Sequence, residues 1–217
     1  MISILIPIYN GIEFLHEAIG SIQNQTFKEW EIIIGINGYP ANSAVFKIAK
    51  KFESKNIRVY DLLNIKGKAN ALNKMLEYCS YDWISLLDVD DKWLPQKLEV
   101  QLPYMKDFDV IGTSCEYFGG RTGSPSIPYG DISNYDFKKG NPIINSSCLL
   151  KKNLCYWDPE CFIGLEDYNL WLILRKQNKK FFNVNKVRVL HRIHKESAFN
   201  NINAKNVNAL LEKHRKT

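Results

Sequence analysis

The sequence lacks the features of a membrane-spanning, disulfide-stabilised or disordered chain. No apolar run approaches the ~18–20 residues that a helix needs to cross a bilayer, and the apolar first residues are not preceded by the basic segment of a signal peptide. The cysteines number five and none forms a CxxC pair, which argues against a disulfide framework and a zinc ribbon. We therefore expect a cytoplasmic protein in a reducing compartment.

The residues that are present are typical of a globular domain. The 217 residues are 45% hydrophobic and 24% charged, which suits one domain. The net charge of +6 is uneven, because the segment from Leu174 to Thr217 has twelve Lys and Arg residues but only two acids. Such a basic end is either a solvated surface or a contact for an anionic partner. We expect its last helix to dock on the domain, with at most weak peripheral association at the cytosolic face of a membrane and no nucleic-acid partner.

The first half of the chain alternates short apolar runs with segments of helical periodicity. The predicted strands are Ser3–Ile8, Glu31–Ile36, Ile57–Leu62 and Trp83–Leu87. Helices are predicted between them, the first with Asn10 and Glu13 spaced as a capping box. This β-α repeat predicts an α/β fold with a mostly parallel sheet, in which ligands bind beyond the carboxyl ends of the strands.

The second half is less regular. Pro95 opens a predicted helix, and residues 119–131 are rich in Gly, Pro and Ser and are predicted to form a loop. The remaining predicted elements are strands Val110–Phe118, Ile144–Leu150 and Phe181–Ile193 and helices Glu166–Gln177 and Ala204–Lys216.

An acidic cluster follows the fourth predicted strand. Asp88, Asp90 and Asp91 come directly after a buried apolar run. Carboxylates packed together repel one another unless a cation or hydrogen-bond donors neutralise them. Mg²⁺ and Mn²⁺ prefer oxygen ligands, usually one or two carboxylates with substrate phosphates. The cluster therefore predicts a cation site, and the alternative for Asp91 is a capping role before Pro95.

Four motifs occur in an order that resembles the family 2 glycosyltransferases. They are Ile4-Leu-Ile-Pro-Ile-Tyr-Asn-Gly, Gly67-Lys-Ala-Asn-Ala-Leu-Asn, Leu86-Leu-Asp-Val-Asp-Asp-Lys-Trp, and Asn145-Ser-Ser followed by Gly164-Leu-Glu-Asp-Tyr-Asn-Leu-Trp-Leu. The resemblance covers residues 2 to about 197 and implies one GT-A domain over residues 1–217. Residues 1–92 are then the nucleotide-sugar-binding half, 93–200 the acceptor-binding half and 201–217 a basic C-terminal helix.

The resemblance also implies an activity. Members transfer a sugar from a nucleotide-sugar donor, here with a UDP-sugar favoured, to a hydroxyl of a glycan acceptor. The implied reaction inverts the anomeric centre and uses Mn²⁺ or Mg²⁺, which stabilises the leaving diphosphate.

Individual residues receive roles from the same resemblance. Asp167 is the expected base, Asp90 binds the cation, Asp88 holds the ribose or shares the cation, and His194 completes the cation site. The expected donor-binding residues are Pro7, Ile8, Tyr9, Asn10, Asn37, Lys68, Asn73, Asp88, Val89, Asp90 and Arg192. The expected acceptor-binding residues are Asn145, Ser146, Trp157 and Glu166. From the residues alone, Glu166 and Asp167 also fit a plain helix start, where the dipole favours acids.

Two positions depart from the family pattern. Asn37 stands where the family has the second Asp of Asp-Asp-Gly-Ser, and its carbonyl can still accept from uracil N3–H. Leu72 replaces the Arg of the family's Ala-Arg-Asn, so Lys66 or Lys68 is the expected substitute.

Two rival functions stay open at the level of sequence. A sugar-nucleotidyltransferase also places acids over a parallel sheet, but Pro7–Asn10 lacks its Gly-rich, basic loop. A non-catalytic nucleotide- or glycan-binding module with the same fold is slightly favoured by Asn37. The intact Asp88, Asp90 and Asp167 argue against such a module.

Overall fold

The computed structural model describes residues 1–197 and 202–215. The predicted end of the last helix at Lys216 lies outside these residues, as do residues 198–201 of the predicted acceptor half and C-terminal segment. The strands are β1 (Ile2–Ile8), β2 (Trp30–Asn37), β3 (Ile57–Leu62), β4 (Trp83–Leu86), β5 (Lys92–Trp93), β6 (Val110–Gly119), β7 (Gly130–Asp131), β8 (Leu149–Lys151) and β9 (Phe181–Ile193). The helices are α1 (Leu15–Gln23), α2 (Ala44–Lys50), α3 (Lys68–Leu76), α4 (Lys97–Gln101), α5 (Glu166–Lys176) and α6 (Ala204–Lys213).

All the described strands belong to one mixed sheet. Its order is β3-β2-β1-β4-β8-β6-β9-β5, with β7 paired to β9. Strands β1 to β4 are mutually parallel, which confirms the prediction for the first half. Strand β8 is antiparallel to both β4 and β6, whereas β6 and β9 run parallel over ten paired positions. The α/β class and the mostly parallel sheet are thus confirmed.

The hydrophobic pattern explains the layers. Strands β1 and β2 are buried on both faces, as their continuous isoleucine-rich runs predict. On one face, α1 packs Leu15, Ile19 and Ile22 into the core. On the other face, α3, α5 and α6 share a second core that contains Trp171 at 0% exposure and Leu210 of α6. The prediction that α6 docks on the domain is therefore confirmed for the described residues.

Two local predictions differ from the structure. The capping box at Asn10 does not form, because the chain instead makes a 3-10 turn over Ile12–Phe14 after Gly11 at φ 84°. The predicted strand Ile144–Leu150 begins only at Leu149. Asn145–Ser147 form a 3-10 turn that brings their side chains beside the end of β4.

Candidate active site

Two adjoining cavities open where β1, β2 and β4 end. The larger has a volume of about 660 Å³ and is lined by the ends of β1 and β2, the start of α3 and the segment 159–166. The smaller, of about 180 Å³, lies over the acidic cluster. Together the two cavities are lined by these predicted donor-binding residues: Pro7, Ile8, Tyr9, Asn10, Asn37, Lys68, Asp88, Val89 and Asp90.

Asp88 is held from three sides. Lys68 Nζ lies 2.6 Å from its Oδ1, and Asn145 Nδ2 donates to its Oδ2 at 3.0 Å. Its backbone N–H donates to the hydroxyl of the buried Ser146 at 3.1 Å. Burial would raise the pKa of this carboxyl, but the charge and hydrogen bond of Lys68 outweigh burial and lower it. Asp88 is therefore an ionised group with a resident counter-ion.

Asp90 lies beside the last strand. His194 Nε2 is 3.0 Å from Asp90 Oδ2, and Arg192 Nε donates to the Asp90 carbonyl at 2.9 Å. Burial raises the pKa of Asp90, and the neighbouring carboxylates of Asp91 and Asp88 raise it further. This position therefore concentrates negative charge that a cation would neutralise.

Asp91 is the structural member of the cluster. Its side chain is 1% exposed and accepts from the Ser146 hydroxyl and from the Arg192 backbone N–H. His191 Nδ1 lies 2.9 Å from Asp91 Oδ2. Burial lowers the pKa of His191, but the hydrogen bond and charge of Asp91 outweigh burial and raise it to about 8. Asp91 therefore ties the acidic cluster to β9.

The donor set fits a divalent cation that is shared with a ligand. Asp90 supplies a carboxylate and His194 an imidazole on one side of the smaller cavity. Across residues 1–197 and 202–215, no group of three or more His, Cys, Asp and Glu is arranged to enclose an ion. Mg²⁺ commonly takes one or two protein carboxylates and completes its shell with water and substrate phosphates. The residues thus suit a cation that enters together with a phosphate-bearing ligand.

Asp167 lies in the first turn of α5, near Lys68. Asn141 Nδ2 donates to Asp167 Oδ2 at 3.1 Å. Burial raises the pKa of Asp167 to about 6, although the charge of Lys68 opposes the rise. Next to it, Glu166 is 8% exposed, lines the larger cavity and accepts from the Gly164 N–H at 2.8 Å. A carboxylate with a pKa near neutrality is well suited to accept a proton at physiological pH.

Asn37 ends β2 at the larger cavity. Its Nδ2 donates to the Gly67 carbonyl at 3.3 Å, and the side chain is only 6% exposed. This bond directs the amide nitrogen to the protein and assigns the carbonyl oxygen as the group available for a ligand.

Three of the residues that were predicted to bind the acceptor have different surroundings in the structure. Trp157 is 0% exposed, so the structure contradicts a stacking role on an acceptor sugar. Ser146 is 1% exposed and supports Asp88 and Asp91, which contradicts its predicted acceptor contact. The Asn145 amide nitrogen donates to Asp88, and its predicted contact with an acceptor stays a prediction.

Two of the predicted donor contacts are corrected as well. Both polar atoms of the Asn73 amide bond to the backbone of Trp157, at 2.7 and 2.9 Å. The Arg192 guanidinium stacks between Phe14 and Phe118 and pairs with Glu17 at 2.9 Å. Arg192 therefore positions the Asp90 backbone and lines neither the larger cavity nor the one over the acidic cluster.

Lys97 is a feature that the sequence did not reveal. This α4 side chain is 0% exposed, donates to Ser85 Oγ and lies 3.9 Å from the Trp93 ring centroid. Trp93 Nε1 in turn donates to the Ser146 carbonyl at 2.7 Å. Burial lowers the pKa of Lys97 to about 7. No sequence signal separates this lysine from the exposed lysines of other helices.

Comparison with known proteins gives a consistent assignment. The family model "Glycosyl transferase family 2" matches residues 3–156. A glycosyltransferase of Methanocaldococcus jannaschii, the uncharacterized MJ1057, is 29% identical over 210 residues, covering 89% of this chain and 71% of that protein. WfgD of Escherichia coli, a UDP-Glc:alpha-D-GlcNAc-diphosphoundecaprenol beta-1,3-glucosyltransferase, is 28% identical over 187 residues, covering 82% of this chain and 71% of that protein.

Solved structures share the fold. Staphylococcus aureus TarS 1–349 in complex with UDP-GlcNAc matches with a TM-score of 0.77 at 16% identity, covering 98% of this chain but only 65% of that chain. The mannosyltransferase PcManGT of Pyrobaculum calidifontis, in complex with GDP-Man and Mn²⁺, matches with a TM-score of 0.68 at 13% identity, covering 91% of this chain and 58% of that chain. With the family model matched over more than half of its length, the chain belongs to glycosyl transferase family 2.

Proposed function

We propose that this glycosyltransferase moves a sugar from a nucleotide-sugar donor, with a UDP-sugar favoured, to a hydroxyl of a glycan acceptor, with inversion and with Mg²⁺ or Mn²⁺ as cofactor. The observation that carries the proposal is the arrangement around Lys68. This residue pairs with Asp88 on the donor side and lies close enough to Asp167 and Glu166 to interact with their charges. The segment proposed to bind the cation and the segment that carries the proposed base thus meet at one edge of the larger cavity.

The proposed cation site uses Asp90 with His194, and a bound cation would stabilise the negative charge that develops on the leaving diphosphate. Asp88 keeps its hydrogen bonds to Asn145 and Ser146, so it is positioned to orient the donor or share the cation. The buried Asp91 holds β9 against the cluster through Arg192 and His191. These contacts keep the cation ligands from two distant segments in register.

Asp167 is the proposed base. It would take the proton of the acceptor hydroxyl, whose oxygen then attacks the anomeric carbon on the face opposite the diphosphate. The bond from that carbon to the diphosphate oxygen breaks, and its electron pair leaves with the nucleotide. A single displacement of this kind inverts the anomeric centre. The pKa of about 6 supports the role, because the carboxylate is ionised at neutral pH yet basic enough to receive a proton.

A uracil base is favoured by Asn37. With its amide nitrogen on Gly67, the carbonyl oxygen can accept from the N3–H of a pyrimidine. The UDP-GlcNAc complex of TarS and the UDP-Glc in the name of WfgD support this preference. PcManGT binds GDP-Man, so the fold itself admits other bases.

We propose a cytoplasmic location with at most weak peripheral membrane association. Among the described residues, no helix combines the length and the apolar character that a bilayer crossing requires. Five unpaired cysteines, three of them buried, support a reducing compartment. The acceptor is proposed to be a glycan because relatives such as WfgD act on saccharide-bearing acceptors.

The experiment that tests the function combines binding with turnover. We expect UDP-sugars to raise the melting temperature more than GDP-, dTDP- or CMP-sugars, because a ligand that binds only the native state stabilises it. The shift and the hydrolysis of the donor should both need Mn²⁺ or Mg²⁺ and disappear with EDTA. Equal hydrolysis in EDTA would contradict metal dependence, and binding without any turnover would favour the non-catalytic alternative.

A further inference from the structure

Lys68 already supplies a positive charge where the proposed cation chemistry needs one. Its Nζ lies 2.6 Å from Asp88 Oδ1, at the wall that separates the larger cavity from the acidic cluster. The other Asp88 oxygen accepts from Asn145. Each oxygen of this carboxylate thus already has a protein partner, and a cation that approaches Asp88 meets the positive charge of Lys68 at 2.6 Å from Oδ1.

The charge on Lys68 is secured by its surroundings. Burial favours the neutral amine, but the carboxylates of Asp88, Glu166 and Asp167 outweigh burial and raise the pKa of Lys68 above its ordinary value. Leu72, one turn further along α3, is buried in the core and contributes no charge here. Lys68 therefore carries its positive charge between the two acidic segments.

We propose that Lys68 serves as the counter-ion of the donor-free site and moves from Asp88 to the donor's diphosphate when donor and divalent cation bind together. The inference rests on the proposed function. Without donor, the ammonium group repels an incoming divalent cation and occupies Asp88. With donor, the diphosphate offers the ammonium group a second anionic partner, and Asp88 is released.

This arrangement makes the binding of cation and nucleotide mutually dependent. A coupling free energy between two ligands is reciprocal, so the factor by which UDP strengthens Mn²⁺ binding equals the factor by which Mn²⁺ strengthens UDP binding. Lys68 enlarges that factor because it weakens the cation's binding only while the diphosphate is absent. The chain would then seldom hold a cation before its donor.

The test measures Mn²⁺ affinity by calorimetry and by electron paramagnetic resonance, with and without UDP. We expect Lys68→Met to bind Mn²⁺ about tenfold more tightly than wild type when UDP is absent, within the usual range of coupling between sites. We also expect UDP to improve Mn²⁺ affinity less in this variant. Lys68→Arg keeps the charge and should behave like wild type.

The matched control is Lys74→Met. Lys74 belongs to the same helix and pairs with Glu77 at the same 2.6 Å, but lies outside both cavities of the site. Its removal should leave Mn²⁺ affinity unchanged. If Lys68→Met binds Mn²⁺ no more tightly than wild type without UDP, the inference is overturned while the proposed function stands. If no variant and not even wild type binds Mn²⁺ with UDP present, the proposed metal dependence and this inference both fail.

Discussion

His194 Nε2 lies 3.0 Å from Asp90 Oδ2, although the two residues are 104 positions apart in the chain. They meet because the short strand β5, which follows the acidic cluster, pairs antiparallel with β9 at Lys92 and Leu190. The Arg192 bond to the Asp90 carbonyl fixes the same junction. The candidate cation site therefore depends on the sheet's last pairing rather than on the acidic motif alone.

Replacing Asp90 with Asn should abolish the binding of a cation at this junction. Asn keeps the size of the side chain but loses the charge, so we expect Mn²⁺-dependent donor binding to disappear while the fold is retained. Calorimetric titration of UDP with Mn²⁺ and with EDTA measures the effect. A donor affinity that matches wild type under both conditions would show that Asp90 holds no cation.

Replacing Asp167 with Asn should separate binding from transfer. The variant cannot accept the acceptor's proton, so we expect transfer to slow by at least ~10²-fold, the usual contribution of a general base. Donor affinity should stay near wild type, because Asp167 interacts with Lys68, which itself pairs with Asp88 on the donor side. A variant that transfers normally but binds donor poorly would place Asp167 in the donor site instead.

The pH dependence of transfer follows from the same carboxylate. Burial raises the pKa of Asp167 to about 6, and only the ionised form can accept a proton. We therefore expect kcat/KM to be constant above this pH and to fall about tenfold per pH unit below it. Stopped assays from pH 4.5 to 8 at constant ionic strength would measure the profile. An unchanged rate at pH 5 would exclude Asp167 as the titrating base.

Removing Lys68 should move that profile. The ammonium group lowers the pKa of Asp167, so Lys68→Met should shift the acidic limb of the profile to higher pH. Lys74→Met provides the comparison, because it removes a charge of the same helix outside the site. An identical acidic limb in wild type and Lys68→Met would show that the two groups do not interact.

Because Lys97 is buried, we expect its titration to change the stability of the protein with pH rather than its activity. Burial lowers its pKa to about 7, while in the unfolded chain this amine keeps its ordinary pKa of about 10.5. Between these values the unfolded state binds the extra proton, so this group makes the free energy of unfolding rise with pH, by at most about 1.4 kcal/mol per unit. Denaturant titrations at pH 6.5, 8 and 9.5 should show the rise in wild type but not in Lys97→Met. Parallel curves for the two proteins would contradict the assignment.

The sequence brought several predicted site residues to one sheet edge because their motifs follow strands that periodicity identifies well. Asp88 and Asp90 come at the end of a buried strand, and parallel strands end at one edge of the sheet. The boundaries of β3 and β9 agree with the prediction residue for residue. The roles of His194 and Asp167 came only from the family resemblance, and they stay predictions.

Prediction from the sequence was wrong or incomplete where the burial of a side chain or the pairing of a strand depends on the tertiary fold. Trp157 follows an irregular segment with no periodicity, so its complete burial could not be predicted. Ser146 lies in a motif shared with acceptor-side residues, yet a 3-10 turn directs it to Asp88 and Asp91. The short β5 pairs with a strand about a hundred residues away, and no local pattern reveals such a contact.

The antiparallel insertion of β8 bears on how chimaeras of this enzyme should be built. Trp83 and Ile84 of β4 pair with Lys151 and Leu150 of β8, so a fragment cut after residue 92 would expose the free edge of β4. Exposed edge strands pair readily with other chains and promote aggregation. Exchanging only the surface segment 120–129, between β6 and β7, leaves the pairings of β4, β8 and β6 intact and removes only the isolated bridge between Tyr117 and Gly123 from this region.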